Sequence, residues 1–116
     1  MILTTHTLYD ILRGRRVQLA LRIGSAGLAV TDVTLNGALV VEGHEGHLTL
    51  DLGPADDLDA SRVKVYTSVR GPKSTVPNRV DYRLTGGQRH WTATLREDPP
   101  DEELDWFYAN IDLLLS

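Results

Sequence analysis

Hydrophobic residues in this chain recur at every second position, in short runs that turn-forming residues interrupt at intervals of about ten. Successive side chains of a strand point to opposite faces, so a run of this kind buries one face and leaves the other in water. Val17, Leu19, Leu21 and Ile23 alternate with Gln18, Ala20 and Arg22. Val63, Val65, Thr67 and Val69 repeat the pattern, as do Leu48, Leu50 and Leu52, then Val80, Tyr82 and Leu84, and then Trp91, Ala93 and Leu95.

The punctuation between these runs has its own chemistry. Asn36-Gly37 tolerates the positive φ of a type I′ turn and predicts a hairpin whose returning strand is Ala38 to Glu42. The strand before it, with Leu28, Val30, Val33 and Leu35 inward, needs a phase change near Thr31 or Asp32, which a β-bulge supplies. Gly43-His44-Glu45-Gly46 reads as a second turn, Gly53 to Asp57 as a loop, and Gly86-Gly87 as a tight hairpin. Gly71-Pro72-Lys73 and Val76-Pro77-Asn78 bracket a connection of about eight residues. Asp98-Pro99-Pro100-Asp101 is a stiff acidic loop.

The C-terminal segment admits a helix over Glu102 to Leu115, capped by Asp101. The strand is preferred, because Phe107, Ala109, Ile111 and Leu113 alternate with Trp106, Tyr108, Asn110 and Asp112, and the aromatics suit a pleated surface. Residues 1–12 fit either a strand or a helical turn around Leu8 to Leu12.

These runs predict one all-β domain spanning residues 1–116: an antiparallel β-sandwich of eight or nine short strands, with a small closed β-barrel as the alternative. A length of 116 residues with 41% hydrophobic content fills one core. The whole-chain pattern resembles transthyretin-like, Ig-like and C2-like sandwiches, which share architecture without sharing function, so the resemblance assigns a role to no residue.

Several functions are set aside by composition. The absence of cysteine removes disulfides, thiolate catalysis and zinc–thiolate sites. Met1 to His6 lacks a basic region followed by an apolar run, and no apolar stretch is long enough for a membrane span, so a cytoplasmic location is expected, with signal-independent export left open. Ten arginines against two lysines fit a GC-rich coding background more than selection for guanidinium chemistry.

Chemistry-bearing clusters are weak. His44-x-x-His47 with Glu45 offers two imidazoles, short of the about four ligands of a zinc site, and fits an ordinary polar turn. Asp51, Asp56, Asp57 and Asp59 in one loop, with Asp98, Asp101, Glu102 and Glu103 in another, are the residues from which a calcium site would be built. A hydrolase would need His6 or His90 beside a carboxylate; no Gly-x-Ser-x-Gly elbow is present, so no catalytic residue is assigned.

Charge is segregated. Residues 62–96 carry eight basic and one acidic side chain, whereas 97–116 carry seven acidic and none basic. By alternation Arg62, Lys64, Tyr66 and Arg70 face outward, as do Arg79 and Arg83 from the next strand and Arg96 from the one after; hairpin neighbours would place all of them on one sheet surface. The acidic overall balance and the single interleaved aromatic argue against nucleic acid. Trp106 and Tyr108 stand outward on the last strand, which as an edge would accept another chain.

The expectation is a non-enzymatic protein-interaction or oligomer-forming module without a cofactor, such as an accessory subunit of a bacterial assembly. Its contact surface would be Arg62, Lys64, Tyr66, Arg70, Arg79, Arg83, Arg96, Trp106 and Tyr108, and its partner a protein or a second copy. A sandwich or barrel holding a small ligand or calcium is the alternative, and a small hydrolase the third reading.

Overall fold

The computed structural model describes residues 2–25, 27–71, 76–97 and 104–116. Nine strands carry the alternating runs: β1 (Ile2–Ile11), β2 (Arg16–Gly24), β3 (Leu28–Leu35), β4 (Ala38–Glu45), β5 (Leu48–Pro54), β6 (Arg62–Arg70), β7 (Asn78–Thr85), β8 (Trp91–Glu97) and β9 (Leu104–Leu115). They form two packed sheets, β1-β9-β6-β3-β4 and β5-β2-β7-β8, so the fold is a β-sandwich, not a closed barrel. A 3₁₀ turn at Ala55–Asp57 is the helical element among the described residues, and no helix there is long and apolar enough to cross a membrane.

One face of each strand supplies a single core. Val17, Leu19, Val63, Val65, Val80, Leu84, Ala109, Ile111 and Leu113 have no exposed surface, and Tyr82 and Phe107 are 1% exposed. Every inward position read in β2, β6, β7 and β9 is buried or packed against that core. Residues 104–115 are a strand, not a helix, and so are residues 2–11.

The pairing departs from the expected antiparallel scheme at one place. β1 runs parallel to β9, in unbroken register from Ile2↔Trp106 to Ile11↔Leu115. Parallel neighbours need a long crossover, and here the whole intervening domain provides it. β9 is therefore interior, flanked by β1 and β6, so the condition under which it would accept another chain is not met.

β3 keeps one phase throughout. Ala29, Thr31 and Val33 point inward, while Leu28 is exposed. Thr31 is buried because its hydroxyl meets the Thr67 hydroxyl at 2.9 Å, directly across the β3–β6 ladder. The irregularities fall in β4, where the register shifts twice against β3 and Gly43 takes φ 62°.

The Asn36-Gly37 turn has the expected positive φ at both residues, 52° and 83°. Two other turns differ from expectation. Gly43 to Glu45 continue β4, and the reversal follows at Gly46, where the chain crosses between sheets. Gly86-Gly87 open a longer connection between Thr85 and Trp91, because Gly87 bridges to Ile11 of the opposite sheet instead of closing a two-residue hairpin. Pro72, Lys73 and the acidic stretch Asp98 to Glu103 lie outside the described residues.

Candidate functional site

The expected single basic surface is divided in two. β6 belongs to the five-stranded sheet, whereas β7 and β8 belong to the four-stranded one, so Arg62, Lys64, Tyr66 and Arg70 stand on one outer face and Arg79, Arg83 and Arg96 on the other. The connection of about eight residues after β6 is long enough to cross the ~10 Å between packed sheets, which a tight hairpin is not.

The outer face of the five-stranded sheet can be read row by row. Ile2, Trp106, Ser68 and Val30 align across β1, β9, β6 and β3; Thr4, Tyr108, Tyr66 and Asp32 form the next row; His6, Asn110, Lys64 and Thr34 the third. Tyr66 and Tyr108 are direct cross-strand neighbours with ring centroids 4.9 Å apart and planes tilted by 39°. Trp106 is 45% exposed beside Ile2, itself 71% exposed. The structure thus brings Tyr66, Trp106 and Tyr108 onto one surface with Arg62, Lys64 and Arg70.

One end of this face is polar. Asp112 accepts hydrogen bonds from Arg62 Nε at 2.8 Å and pairs with His6 Nε2 at 2.9 Å. The Arg62 guanidinium first, and then His6, hold the Asp112 carboxyl below the usual carboxylate range, and Asp112 in turn raises Arg62. The cross-strand pairing of basic β6 with acidic β9 accordingly takes up part of the segregated charge.

The outer face of the four-stranded sheet has a different chemistry. Arg16 and Arg22 of β2 join Arg79, Arg83 and Arg96 there, opposed by Asp51 and Asp81. Asp51 accepts from Arg16 Nε at 2.8 Å, and Asp81 from Arg79 Nε at 3.0 Å and Thr94 Oγ1 at 2.6 Å. Arg16 lowers the Asp51 carboxyl; for Asp81, burial acts upward, but Thr94 and Arg79 together bring it down. Ala20, lying between Thr49 and Arg83 in register, leaves a hollow of about 590 Å³ that Arg22, His47, Thr92 and Thr94 also line.

Large exposed hydrophobics separate the two faces. Ile2 and Leu8 of β1, Leu28 of β3, Leu39 and Val40 of β4, Tyr66 of β6, and Trp106 and Leu114 of β9 all belong to the five-stranded sheet. Val76, between β6 and β7, is the remaining one among the described residues, and the four-stranded sheet has none.

The clusters that suggested metal or catalysis are engaged elsewhere. His44 Nε2 lies 2.7 Å from the His47 carbonyl oxygen, and His47 Nδ1 accepts from the Ile23 amide at 2.9 Å. Asp56 accepts from the Gly14 amide and Asp59 from the Leu115 amide. Among the described residues no three His, Asp or Glu side chains converge on a point where an ion would sit. His6 does meet a carboxylate, on an open surface, and His90 shares a hollow of about 370 Å³ with Asp10 while its Nδ1 lies 3.1 Å from the Arg83 guanidinium.

Some contributors to these faces were missed in the sequence. Arg22 follows from the alternation of β2, but its place beside β7 depends on a pairing between strands about sixty residues apart, which periodicity does not carry. Comparison of the chain with protein-family models, with curated proteins and with solved structures returned no match.

Proposed function

We propose that this domain is a non-enzymatic protein-interaction module whose contact surface is the outer face of the five-stranded sheet, centred on Tyr66, Tyr108 and Trp106. The observation that carries this reading is the confinement of large exposed hydrophobics to that sheet. An exposed aromatic cluster on β6 and β9, with Lys64 and Arg70 along the same strand as Tyr66, has the composition of a contact surface. The rigid sheet presents these rings with little ordering cost on binding.

A photo-crosslinking amino acid substituted at Trp106, with the same group at Thr92 on the other face as control, tests the assignment in the source cell. Discrete protein adducts at position 106 and none at position 92 are expected. Equal yields at both positions, or no adduct at either, would overturn it.

A second reading, of a site for a small anionic ligand, is favoured by the Ala20 hollow. Arg22, Arg83 and the Thr49 and Thr92 hydroxyls around it are donors of the kind an anion accepts from, and the face carries five arginines against two aspartates. Calcium is not favoured at that place, where the one acid among the described residues is Asp81, already held by Arg79 and Thr94.

A further inference from the structure

Each sheet has two edges, β1 and β4 in one and β5 and β8 in the other, and an edge presents unpaired amides and carbonyls to any strand that reaches it. Three of the four carry the features that blunt such pairing. β4 shifts register twice, turns through Gly43 and bears Glu42 and Glu45. β5 has seven residues, including Asp51, and ends in Gly53-Pro54. β8 also has seven and ends in Arg96-Glu97.

β1 lacks these features along its first eight residues, and its one acid, Asp10, lies at the far end. It has ten residues in unbroken register with β9, no glycine, proline or bulge, and no aspartate, glutamate, lysine or arginine from Ile2 to Tyr9. Its free side is engaged only at the far end among the described residues, where Ile11 bridges Gly87 and the Leu12 amide donates to the Gly86 carbonyl. β1 also carries the two most exposed of the large hydrophobics, Ile2 at 71% and Leu8 at 60%.

We propose that this edge pairs with the same edge of a second copy, antiparallel and centred on Thr5, so that two five-stranded sheets become one continuous sheet. A two-fold axis normal to the sheet keeps inward residues opposite inward ones, which restricts the register to steps of two. Centring on Thr5 sets Ile2 opposite Leu8 of the second copy, Leu3 opposite Thr7 and Thr4 opposite His6. Both exposed hydrophobics are then covered, each by the other. Centring on His6 would instead set Ile2 opposite Asp10 and the two imidazoles face to face; centring on Thr4 would set Ile2 opposite His6 and part it from Leu8. The absence of formal charge on Ile2 to Tyr9 means that no like charges meet, whereas β4 paired with itself would gather its glutamates.

This contact needs nothing from the outer-face aromatics, so either proposal can fail without the other. The chain has no cysteine, and a Thr5→Cys substitution creates a single thiol that lies opposite its own copy on the two-fold axis. Directly opposed residues of an antiparallel pair lie about 4.5–5.5 Å apart at Cα, inside the range a disulfide spans. Mild oxidation is expected to convert T5C quantitatively to a covalent dimer of twice 12.9 kDa, while Thr92→Cys stays without a covalent crosslink under the same conditions. In sedimentation velocity, wild type is expected as a dimer and the Ile2→Lys/Leu8→Lys double variant as a monomer with an unchanged circular dichroism spectrum. A monomeric wild type, or T5C crosslinking no faster than T92C, overturns the proposal. So does a dimer that Trp106→Cys traps and Thr5→Cys does not, which would place the contact between copies on the outer face.

Discussion

The Gly87 amide donates a hydrogen bond to the Tyr9 phenol oxygen at 2.9 Å, and through it the edge strand of one sheet is tied to the β7–β8 connection of the other. Tyr9 in turn donates to the Arg89 carbonyl at 2.6 Å. The ring is buried at 5% exposure, and burial pushes its pKa up, which favours the neutral phenol. A Cβ at Gly87 would collide with the Asp10 carbonyl oxygen and with the Tyr9 ring, so the close approach requires glycine. This clamp holds the far end of β1 in place, while among the described residues no strand pairs with the rest of its free side.

Tyr9→Phe leaves the Gly87 amide and the Arg89 carbonyl without their partner, and a loss of about 1–3 kcal/mol is expected in urea denaturation. Gly87→Ala must displace backbone as well, so it is expected to cost at least as much. Full stability in Y9F would show that the clamp contributes nothing.

Thr31 and Thr67 pair in the core between β3 and β6, with no exposed surface on either. Replacing one by valine strands the other hydroxyl, whereas replacing both removes the polar pair and leaves isosteric methyls. Thr31→Val or Thr67→Val alone is expected to destabilise by about 1–3 kcal/mol, and the double variant to recover most of that loss. Additive losses in this double-mutant cycle would refute the coupling.

That pair also marks the limit of what periodicity can reveal. The faces of β2, β6, β7 and β9 are legible because their inward residues are nearly all apolar. In β3 the inward set is Ala29, Thr31, Val33 and Leu35, and in its first half the hydrophobic signal slides onto Leu28 and Val30, which face out. A threonine whose hydroxyl is satisfied across the ladder is indistinguishable in sequence from one that faces water. The interaction surface was recoverable within strands but not between them. Trp106, Tyr108 and Tyr66 have their outward phase written locally, while the separation of Arg62 from Arg79 depends on where the chain crosses from sheet to sheet.

Three surface carboxylates, Asp112, Asp51 and Asp81, titrate below their ordinary range in the folded protein. A depressed native pKa contributes stability that is present above the unfolded value, about 4, and is lost as pH falls through the lower native value. Stability is therefore expected to be level above about pH 5 and to decline toward pH 2. Asp112→Asn should shallow that decline, and added salt should weaken it because the pairs are exposed. Denaturation midpoints measured across this range decide the matter: a slope that D112N leaves untouched would mean that the Arg62–Asp112–His6 cluster is not coupled to folding.

The Ala20 hollow yields a prediction that separates the two faces. Its arginines project from β2 and β7, whereas Arg62 projects from β6 on the opposite side of the sandwich, so the same charge change has a positional control within one small protein. Inorganic pyrophosphate is a suitable probe, since its oxygens accept from both guanidinium and hydroxyl groups. If Arg22 and Arg83 each donate to the anion, Arg22→Gln and Arg83→Gln should each weaken binding by roughly tenfold in calorimetry at low salt, the equivalent of one charge-assisted hydrogen bond. Arg62→Gln should leave it unchanged, because its guanidinium is committed to Asp112 on the far face. Equal weakening by all three variants would mean that the anion senses only net charge, and the hollow would then have no claim to be a site.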